Sequence, residues 1–467
     1  MSSRYKKLLL NTSIFAVGTF GSKVLQFLII PIYTYVLTTA EYGKIDLFTT
    51  TISLVIPFST LLIQEAIIRF LTPKEITSDQ AVVCGLVVTG ISITCSFALF
   101  IPYEFFAGQE LALFFSSALT LGSYVAIFQN YLKAIGDTIA FTVSGLINTF
   151  SFLTLNLVLL LYFKMGMHGY LLSLVFSSLA TATYITIKGN IIRRSYDTTN
   201  TKAILHEMIR YSLPLIPNVL MWWIMNAGDK YIINFFLGQD ANGLYAISLK
   251  LATVLTTLFG IFFQAWQLFA IEENKTEDRG ILYANVYSMM MAVLFIITIL
   301  TILLTKPIFL LCISNDFFDA QLYSPLLCVS TVINCMATFW GVSYIISKDT
   351  KKSFTTTSVG AVINLVVNFL LIVPFGLAGV AVGTIAGYLV VLILRIRDTK
   401  KVIDVQTDSV RTVIGLSVIF GISLVYLIDN NLITIISSMG ALVLIVYLYF
   451  KEVRMVTQKL LQRVVAK

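Results

Sequence analysis

This sequence is poor in the residue types on which most enzyme active sites and metal centres depend. Its 467 residues include two histidines and five cysteines, and only 12% are charged. The cysteines are odd in number and show no CxxC spacing, so we interpret them as small apolar core residues rather than metal ligands or disulfide partners. With only His168 and His206 available, a zinc site or a Ser-His-Asp hydrolase constellation is hard to build.

Apolar residues, by contrast, are abundant. They make up 57% of the chain, and its mean hydropathy is +0.88, values typical of an integral membrane protein. The N-terminal stretch MSSRYKK leads directly into an apolar run that is too long for the core of a signal peptide and lacks an Ala-x-Ala cleavage site. We therefore expect the first span to remain in the protein.

Apolar runs of about 20 residues, each long enough to cross a ~30 Å hydrocarbon core, recur along the whole chain. They are continuously apolar rather than alternating, which in practice excludes a β-barrel. The pattern predicts an all-α integral membrane protein with about fourteen transmembrane helices, near residues 13–36, 46–70, 82–103, 112–134, 140–163, 168–188, 211–236, 244–270, 282–304, 322–346, 354–374, 377–395, 411–428 and 432–450.

Basic residues are distributed unevenly between the loops on the two sides of these spans. One side carries nearly all of them, whereas the other has only Lys44, Lys164 and Lys306. The positive-inside rule makes the crowded side cytoplasmic, and an even number of spans places both termini there. The formal net charge of +8 is then explained by topology without a nucleic-acid partner, and anionic lipids are the expected partners of the basic face. We expect a multi-pass protein of the cytoplasmic (inner) membrane.

The two halves of the chain share a pattern at an offset of 200 residues. The stretch YVLTTAEYG (35–43) aligns with FFLGQDANG (235–243), and each closes one span and opens the next. A second similarity between the halves pairs GDTIAFTVSG (136–145) with KDTKKSFTTTSVG (348–360). Each of these two stretches leads from a cytoplasmic loop into a helix that carries asparagine.

This repeat predicts the domain organisation. We expect pseudo-symmetric six-helix bundles in 1–200 and 201–404, and two additional transmembrane helices with a cytoplasmic tail in 405–467. Because an even number of spans separates the copies, they have the same orientation. Transporters with parallel repeats place the substrate in a central cavity between the halves and work by alternating access.

Several cationic residues lie within the predicted spans, where an ionised group costs at least ~2.5 to 3.5 kcal/mol. Lys23 is mid-span, and Gln26 shares its helical face. Lys230 and Lys250 lie a turn or two inside the outer boundary, where a long side chain can instead carry its charge to water. Arg69 ends the second span and also suits an interface anchor. These four basic residues are the candidate cavity cations.

Acidic and amide side chains at span depth complete the candidate site. Glu65, Asp229 and Asp46 are candidates for ion coupling or for neutralising a neighbouring lysine, with simple hydration as the alternative for Asp46. The candidate polar lining consists of Gln26, Gln64, Asn218, Asn226 and Gln264. Hydrogen bonding between helices is the alternative for Asn218 and Asn226, and equally for Asn334, Asn364 and Asn368.

Together these residues predict an interior that is more cationic than anionic. A cationic, polar cavity suits an anionic headgroup such as a pyrophosphate, through charge-assisted hydrogen bonds in a low-dielectric setting. An acidic or wholly apolar cavity would suit organic cations instead.

Four stretches of the chain carry a likeness to a known transporter family. They are SKVLQFLIIPIYTYVLTTAEYGKIDLF (22–48), SLPLIPNVLMWWIMNAGDKYIINFFLGQDANGLYAISLK (212–250), IFFQAWQLFAIEE (261–273) and KDTKKSFTTTSVGAVINLVVNFLL (348–371). The chain resembles the Wzx-type polysaccharide biosynthesis flippases of the multidrug/oligosaccharidyl-lipid/polysaccharide (MOP) exporter superfamily. The likeness extends over nearly the whole chain and is weakest in the last two spans.

The resemblance implies two six-helix bundles around a V-shaped cavity, usually with two further helices. It implies a transporter, not an enzyme, that moves an undecaprenyl-diphosphate-linked oligosaccharide repeat unit to the outer leaflet for O-antigen lipopolysaccharide, capsule or related polymers. No ATP site is expected, in keeping with the absence of a GxxxxGK[ST] motif, and no cofactor beyond a coupling ion, H+ or Na+. The family's cavity cations correspond by position to Lys23, Lys230 and Lys250. A polysaccharide polymerase and chain-length machinery are further possible partners.

Other functions stay open at this point. An ion-coupled multidrug exporter of the same superfamily would present acidic groups to a cationic drug, and Asp46, Glu65 and Asp229 suit it. A flippase for the peptidoglycan lipid precursor would need nearly the same chemistry as the first interpretation. A membrane-embedded glycosyltransferase or polymerase would need a large outer loop with catalytic side chains, and the longest outer loop here, 305–321, is short.

Overall fold

A computed structural model of the chain describes residues 27–107, 109–192, 196, 199–272, 279–347, 349–428 and 430–455. Within these ranges all regular secondary structure is helical, which confirms the predicted fold class. The chain forms two compact units, Met1–Trp223 and Ile224–Lys467, called unit 1 and unit 2 below. The boundary between them falls inside the span predicted at 211–236. The predicted division at 200 and at 404 stays a prediction.

Among the described residues, unit 1 holds eight helices and the beginning of a ninth. They are α1 (Ile30–Val36), α2 (Thr39–Ser59), α3 (Ile63–Leu71), α4 (Ser78–Ala107), α5 (Gln109–Ala134), α6 (Thr138–Asn156), α7 (Gly166–Lys188) and α8 (Thr201–Ser212). A turn of wider π-helix, Leu157–Tyr162, extends α6. Helix α1 is the end of the first predicted span, most of which lies outside the described residues.

The second predicted span, 46–70, is not one helix. It is broken into α2 and α3, which are bent by 53° relative to each other. Pro57 lies in the last turn of α2, and Leu61 and Leu62 follow with φ of 50° each, a left-handed conformation that costs a residue other than glycine about 1–2 kcal/mol. The Ser212 hydroxyl donates to the Leu61 carbonyl at 2.7 Å, so this strained turn is tied to the end of α8.

An apolar core holds α8 on unit 1. Ile63 and Ile67 of α3, Phe128 and Leu132 of α5 and Met208 of α8 are all fully buried in one cluster. Helix α8 is only 12 residues long, too short to cross a membrane. It therefore packs against the bundle as a connecting helix ahead of α9.

Unit 2 contains most of α9 and five further helices in the described part of the chain. These are α9 (Ile216–Glu272), α10 (Arg279–Cys312), α11 (Ser324–Ile346), α12 (Thr350–Lys400), α13 (Ser409–Tyr426) and α14 (Asn431–Leu448). A 3-10 helix, Asn315–Leu322, precedes α11.

Two helices of this set are too long for one span. Helices α9 and α12 have 57 and 51 residues, or about 85 and about 75 Å at 1.5 Å per residue. Each is interrupted at one glycine, Gly238 (φ 86°, ψ −176°) and Gly376 (φ 56°, ψ −136°). Glycine reaches these backbone angles without steric cost. Each helix is therefore two consecutive spans, named α9a and α9b, and α12a and α12b, before and after its glycine.

The number of spans agrees approximately with the predicted fourteen. Ten helices among the described residues are long and apolar enough to cross a membrane, or eleven if α2 and α3 count as one bent span. That count takes each glycine-interrupted helix once and does not include the first predicted span.

The sequence repeat has a counterpart in the helix ends. Thr38 caps α2 through its hydroxyl and Glu41, and 200 residues later the helix is interrupted at Gly238. Likewise Asp137 caps α6 by accepting from the Ala140 N–H at 2.9 Å, and Asp349 caps α12 by accepting from the Lys352 N–H at 3.0 Å. Both aligned pairs of stretches therefore mark a helix boundary.

Candidate functional site

Charged side chains are rare in the interior of the described residues. Asp229 and Arg395, 3% and 2% exposed, are the only two that are buried there, and both belong to unit 2. A buried carboxylate in a membrane protein is a functional-site hypothesis by default, because its desolvation must be offset by specific partners. The candidate site is therefore built around Asp229.

Three donors from three other helical segments hold the Asp229 carboxylate. The Asn368 amide of α12a donates to Oδ1 at 2.7 Å. The Thr384 hydroxyl of α12b and the Tyr245 hydroxyl of α9b reach Oδ2 at 2.7 and 3.0 Å. Hydrogen bonds to an ionised acceptor are roughly twice as strong as neutral ones, so this arrangement can hold Asp229 as a carboxylate.

Helical spacing brings these groups to one place. Met225 and Asp229 on α9a, Asn364 and Asn368 on α12a, and Thr384 and Tyr388 on α12b are each four residues apart, so each pair lies on one face of its helix. The Tyr388 hydroxyl donates to Asn226 Oδ1 at 2.9 Å and lies 3.3 Å from the Met225 carbonyl. These contacts tie α12b to α9a one turn from the carboxylate.

Glycines allow α12a and α12b to approach closely enough for this. A Cβ added at Gly383 would lie 1.9 Å from Asn368 Oδ1, and one at Gly387 would lie 2.7 Å from Asn364 Cβ. Gly379, Gly383 and Gly387 recur every four residues, the small-residue spacing that lets membrane helices pack tightly. The Asp229 site therefore depends on a glycine stripe on α12b.

Two amide oxygens at this site have no donor. The Oδ1 atoms of Asn364 and Asn368 are buried and accept no hydrogen bond from any described residue. Thr384 Oγ1 lies 3.0 Å from the Val380 carbonyl as well as 2.7 Å from Asp229, although a hydroxyl has only one hydrogen to donate. A site with more acceptors than hydrogens suits a small cation or a proton.

The oxygen atoms of this site suit a hard cation rather than a transition metal. The described residues contain no group of three or more His, Cys, Asp or Glu that could hold a metal ion. Carboxylate, amide carbonyl and hydroxyl oxygens, by contrast, are the ligands that hard cations take. The residues that would hold such an ion are Asp229, Asn364, Asn368 and Thr384.

The other predicted residues of unit 2 lie away from this cluster or at its edge. Lys230 and Lys250 are half-buried, Asn226 is exposed although it accepts from Tyr388, and Gln264 is exposed. The suggestion that Asp229 neutralises a neighbouring lysine is not what the structure shows, because its carboxylate oxygens are held by Asn368, Thr384 and Tyr245. The proposed cavity roles of the lysines stay predictions.

In unit 1 the predicted residues are dispersed. Arg69 is exposed and pairs with Glu75 at 3.0 Å, as an anchor at a helix end would. Glu65 is exposed, and Asp46 is half-buried with its Oδ2 atom enclosed. Gln64 is buried and Asn218 half-buried, and the amide oxygen of each accepts no hydrogen bond from a described residue. Lys23 and Gln26 lie outside the described residues.

Sequence reasoning missed three members of the site and one buried arginine. Tyr245, Thr384 and Tyr388 were not singled out because single hydroxyls in apolar spans are common, although the glycine stripe beside Thr384 was available as a signal. Arg395, the last residue of the span predicted at 377–395, is buried, and donates to the Ala337 carbonyl at 2.9 Å and to Thr357 Oγ1 at 3.1 Å.

Comparison with known proteins relates this architecture to a family and a fold. Residues 8–267 match a family described as polysaccharide biosynthesis protein. The chain is similar to a structure of the lipid II flippase MurJ in an inward closed conformation, with a TM-score of 0.64 and 14% identity, covering 94% of this chain and 99% of that one. No curated protein matches the chain.

Two further similar structures are multidrug transporters. An inward-facing conformation of a MATE family transporter of the MOP superfamily gives a TM-score of 0.63 at 14% identity, covering 83% of this chain and 97% of that one. An outward-facing conformation of a MATE family transporter gives 0.59 at 16% identity, with 84% and 94% covered. The fold is therefore that of the MOP-superfamily transporters, as the sequence resemblance implied.

Proposed function

Because this chain belongs to the polysaccharide biosynthesis protein family, we propose that it is a flippase for an undecaprenyl-diphosphate-linked oligosaccharide repeat unit. The repeat unit would belong to an O-antigen, capsule or similar polysaccharide and would move from the cytoplasmic to the outer leaflet of the inner membrane by alternating access. The observation that carries this proposal is the family match over residues 8–267. The predicted cavity cations Lys23, Lys230 and Lys250 suit the diphosphate of such a substrate.

Coupling to an ion is the second part of the proposal, and it rests on Asp229. A carboxylate 3% exposed and held by three neutral donors changes its interactions when it gains a proton or a cation. Movement of that ion down its gradient would then favour one conformation of the transporter over the other.

A proton fits the site without leaving a donor unsatisfied. When Asp229 is ionised, the Thr384 hydroxyl donates to its Oδ2 atom, 2.7 Å away. When Asp229 carries a proton on that oxygen, the carboxyl group donates to Thr384 Oγ1, and the Thr384 hydrogen turns to the Val380 carbonyl at 3.0 Å.

A sodium ion fits for a different reason. The donorless Oδ1 atoms of Asn364 and Asn368 would gain a partner from a bound cation, whereas a proton on Asp229 leaves both amide oxygens unpaired. Substitution of Asn364 or Asn368 should therefore affect coupling to sodium more than coupling to protons.

Identification of the accumulated lipid tests the substrate. In cells without the gene, lipid-linked intermediates are extracted, and the species on the cytoplasmic leaflet is identified and quantified. We expect an undecaprenyl-diphosphate oligosaccharide to accumulate, wild-type protein to clear it, and Lys23→Ala to fail at equal protein level. Lys44→Ala, a change at an exposed lysine that the predicted topology places on the outer side, serves as the control and should complement fully.

Two other results would indicate a different substrate. Accumulation of the peptidoglycan precursor would point to the substrate named for MurJ. Normal lipid pools together with sensitivity to cationic drugs would point instead to the multidrug export named for the MATE structures. Full complementation by Lys23→Ala would remove that lysine from the site.

Proteoliposomes loaded with a labelled lipid-linked oligosaccharide test the coupling. Flipping is measured under an imposed Na+ gradient or an imposed pH gradient. Asp229→Asn should abolish the response to either gradient. The variants Asn364→Ala and Asn368→Ala should abolish a Na+ response but leave a pH response largely intact. If the flipping rate of the Asp229→Asn variant still responds to an imposed gradient, Asp229 is excluded as the coupling group.

A further inference from the structure

A second candidate site, mostly apolar with a few polar side chains, lies in unit 2, at the end of the helices that the predicted topology places at the outer face. A cavity of about 190 Å³ is lined by α10, α13 and α14. It contains none of the residues of the Asp229 site. Binding sites for drug-sized molecules usually measure about 300–1,000 Å³, so this cavity is too small for an oligosaccharide and suits one headgroup.

The polar side chains of the cavity favour an anion. Lys306 of α10 supplies the positive charge, and Asn431 and Thr434 stand in the first turn of α14, where the helix dipole also favours negative charge. Asn430 caps that helix by accepting from the N–H groups of Leu432 and Ile433. The helix end is therefore already folded and capped beside the cavity.

Thr434 gives an independent indication of a ligand. Its side chain lines the cavity and the residue is only 8% exposed, yet its hydroxyl makes no hydrogen bond to any described residue. Tyr426, by contrast, lines the same cavity and donates its hydroxyl to Gln321 at 3.2 Å. The cavity leaves this hydroxyl accessible, and an anionic oxygen bound there would accept its hydrogen.

The remaining wall of the cavity is apolar and continues onto the outer surface of the unit. Leu303 and Ile435 line it, and Leu310, also in the lining, is 64% exposed. In a membrane-spanning bundle, exposed leucine and isoleucine side chains face acyl chains. An occupant that joins an anionic phosphate to an apolar tail matches both parts of the cavity.

We propose that this cavity binds the phosphate of an outer-leaflet glycerophospholipid, with Lys306 and Thr434 as its ligands and its acyl chains along Leu310 and Ile435. A lysine binds phosphate as a point charge, and the unpaired Thr434 hydroxyl supplies a further donor. The bound lipid would bridge α10 and α14 and so hold the two C-terminal helices on the unit. This inference does not depend on the transported substrate.

Lipid occupancy of the full-length protein tests the proposal. The purified protein is delipidated in detergent, titrated with phosphatidylglycerol and examined by native mass spectrometry. We expect wild-type protein to hold one lipid more tightly than the rest, and Lys306→Gln to weaken that lipid about tenfold, the loss of one charge-assisted hydrogen bond. Thr434→Val should weaken it by a smaller factor.

Two control variants separate this site from general attraction of lipid to a basic protein. Lys164→Gln, on the same predicted side in unit 1 and exposed, should leave the tight lipid in place. Asp429→Asn removes a negative charge two residues before the start of α14 in the sequence and should keep or increase occupancy. Equal lipid loss from Lys164→Gln and Lys306→Gln would contradict the proposal.

Competition identifies the source of the phosphate. Inorganic phosphate at millimolar concentration should not displace the lipid, and displacement would make the site one for the free anion. A polyprenyl diphosphate that competes at lower concentration than phosphatidylglycerol would make it a product site instead. Thermal unfolding gives a second readout. Phosphatidylglycerol should raise the unfolding temperature of wild-type protein but not that of Lys306→Gln, and the comparison requires that the two proteins unfold at the same temperature without lipid.

Discussion

The acidic residues of unit 1 and unit 2 are placed very differently. In unit 1, Asp46 is half-buried with its Oδ2 atom enclosed, and Glu65 is exposed, whereas in unit 2 Asp229 is buried with three donors from three helical segments. The helix boundaries of the two halves nevertheless correspond, at Thr38 and Gly238. A repeat can therefore preserve where helices begin and end while the chemistry of the interior diverges.

The backbone at the breaks also differs between the units. Unit 1 breaks its second span at Leu61 and Leu62, which adopt left-handed φ despite their side chains. Unit 2 interrupts its long helices at Gly238 and Gly376, where the same sign of φ costs little. Strain is thus concentrated in unit 1, and the buried charge in unit 2.

Removal of the two carboxylates should have the largest and most unequal effects. Asp229→Asn, which is isosteric, should lower transport more than about tenfold, because it removes the charge that strengthens three hydrogen bonds and replaces one acceptor oxygen with an amide donor, and each charged bond is worth ~1.5–3 kcal/mol. Asp46→Asn should lower transport by less than about threefold, since the residue is only half-buried although its Oδ2 atom is enclosed. Flipping rates in proteoliposomes, at matched protein content, measure both. Equal losses would show that the units do not differ in this respect.

Substitution of a glycine in the stripe on α12b should have the next largest effect. Gly383→Ala places a Cβ 1.9 Å from Asn368 Oδ1 and 3.0 Å from its backbone nitrogen, so it should destabilise unit 2 by about 1–3 kcal/mol and disrupt the Asn368 bond to Asp229. The control is Gly90→Ala in α4 of unit 1, where a Cβ meets nothing within 4 Å. That change should stabilise its helix by up to about 1 kcal/mol. Unfolding titrations in detergent report both, and a neutral Gly383→Ala would argue against the close packing of α12a and α12b.

The corresponding helix boundaries should respond to different substitutions. Gly238→Ala forces a side chain into a backbone region open essentially only to glycine, and should cost about 1–3 kcal/mol although its Cβ has free space. Thr38→Ala removes only a cap and should cost about 1 kcal/mol. The same titrations compare them. A Thr38→Ala loss larger than that of Gly238→Ala would reverse this ranking.

The aspartate caps should show the smallest effects. The Lys352 N–H and side chain lower the pKa of Asp349 below its usual value. Because the folded-state pKa is lowered, the cap stabilises α12 above the unfolded-state pKa and is lost as pH falls through the folded-state value. Amide hydrogen exchange at the start of α12 should therefore accelerate at acidic pH in the wild type, relative to intrinsic rates. Asp349→Asn, still a good cap, should lack this dependence, and an unchanged pH profile would contradict the assignment.

Helix positions were largely predictable from the sequence. The predicted spans at 112–134, 168–188 and 322–346 correspond to α5, α7 and α11, because a run of apolar residues long enough to cross a bilayer is a local property. The break at Leu61 was not predicted, since leucine gives no signal for left-handed backbone; only the nearby Pro57 pointed to a kink.

The candidate site was predictable only in part. Asp229 stood out as a charge in an apolar run, and Asn364 and Asn368 were noted as polar groups at span depth. The hydrogen bonds from Asn368 and Thr384 to Asp229 could not be predicted, because Asp229 lies 139 residues from Asn368 and 155 from Thr384 in the sequence. No local pattern relates residues so distant in the chain.

The sequence by itself determined that this protein crosses a membrane, approximately how often, and where its repeated helix ends lie, because hydropathy and caps act over neighbouring residues. Only the tertiary structure decided that Asp229 is buried against Asn368, Thr384 and Tyr245 and that Thr434 and Lys306 of different helices line one cavity. Those outcomes depend on which faces of distant helices pack together, and close packing is a property of the assembled unit.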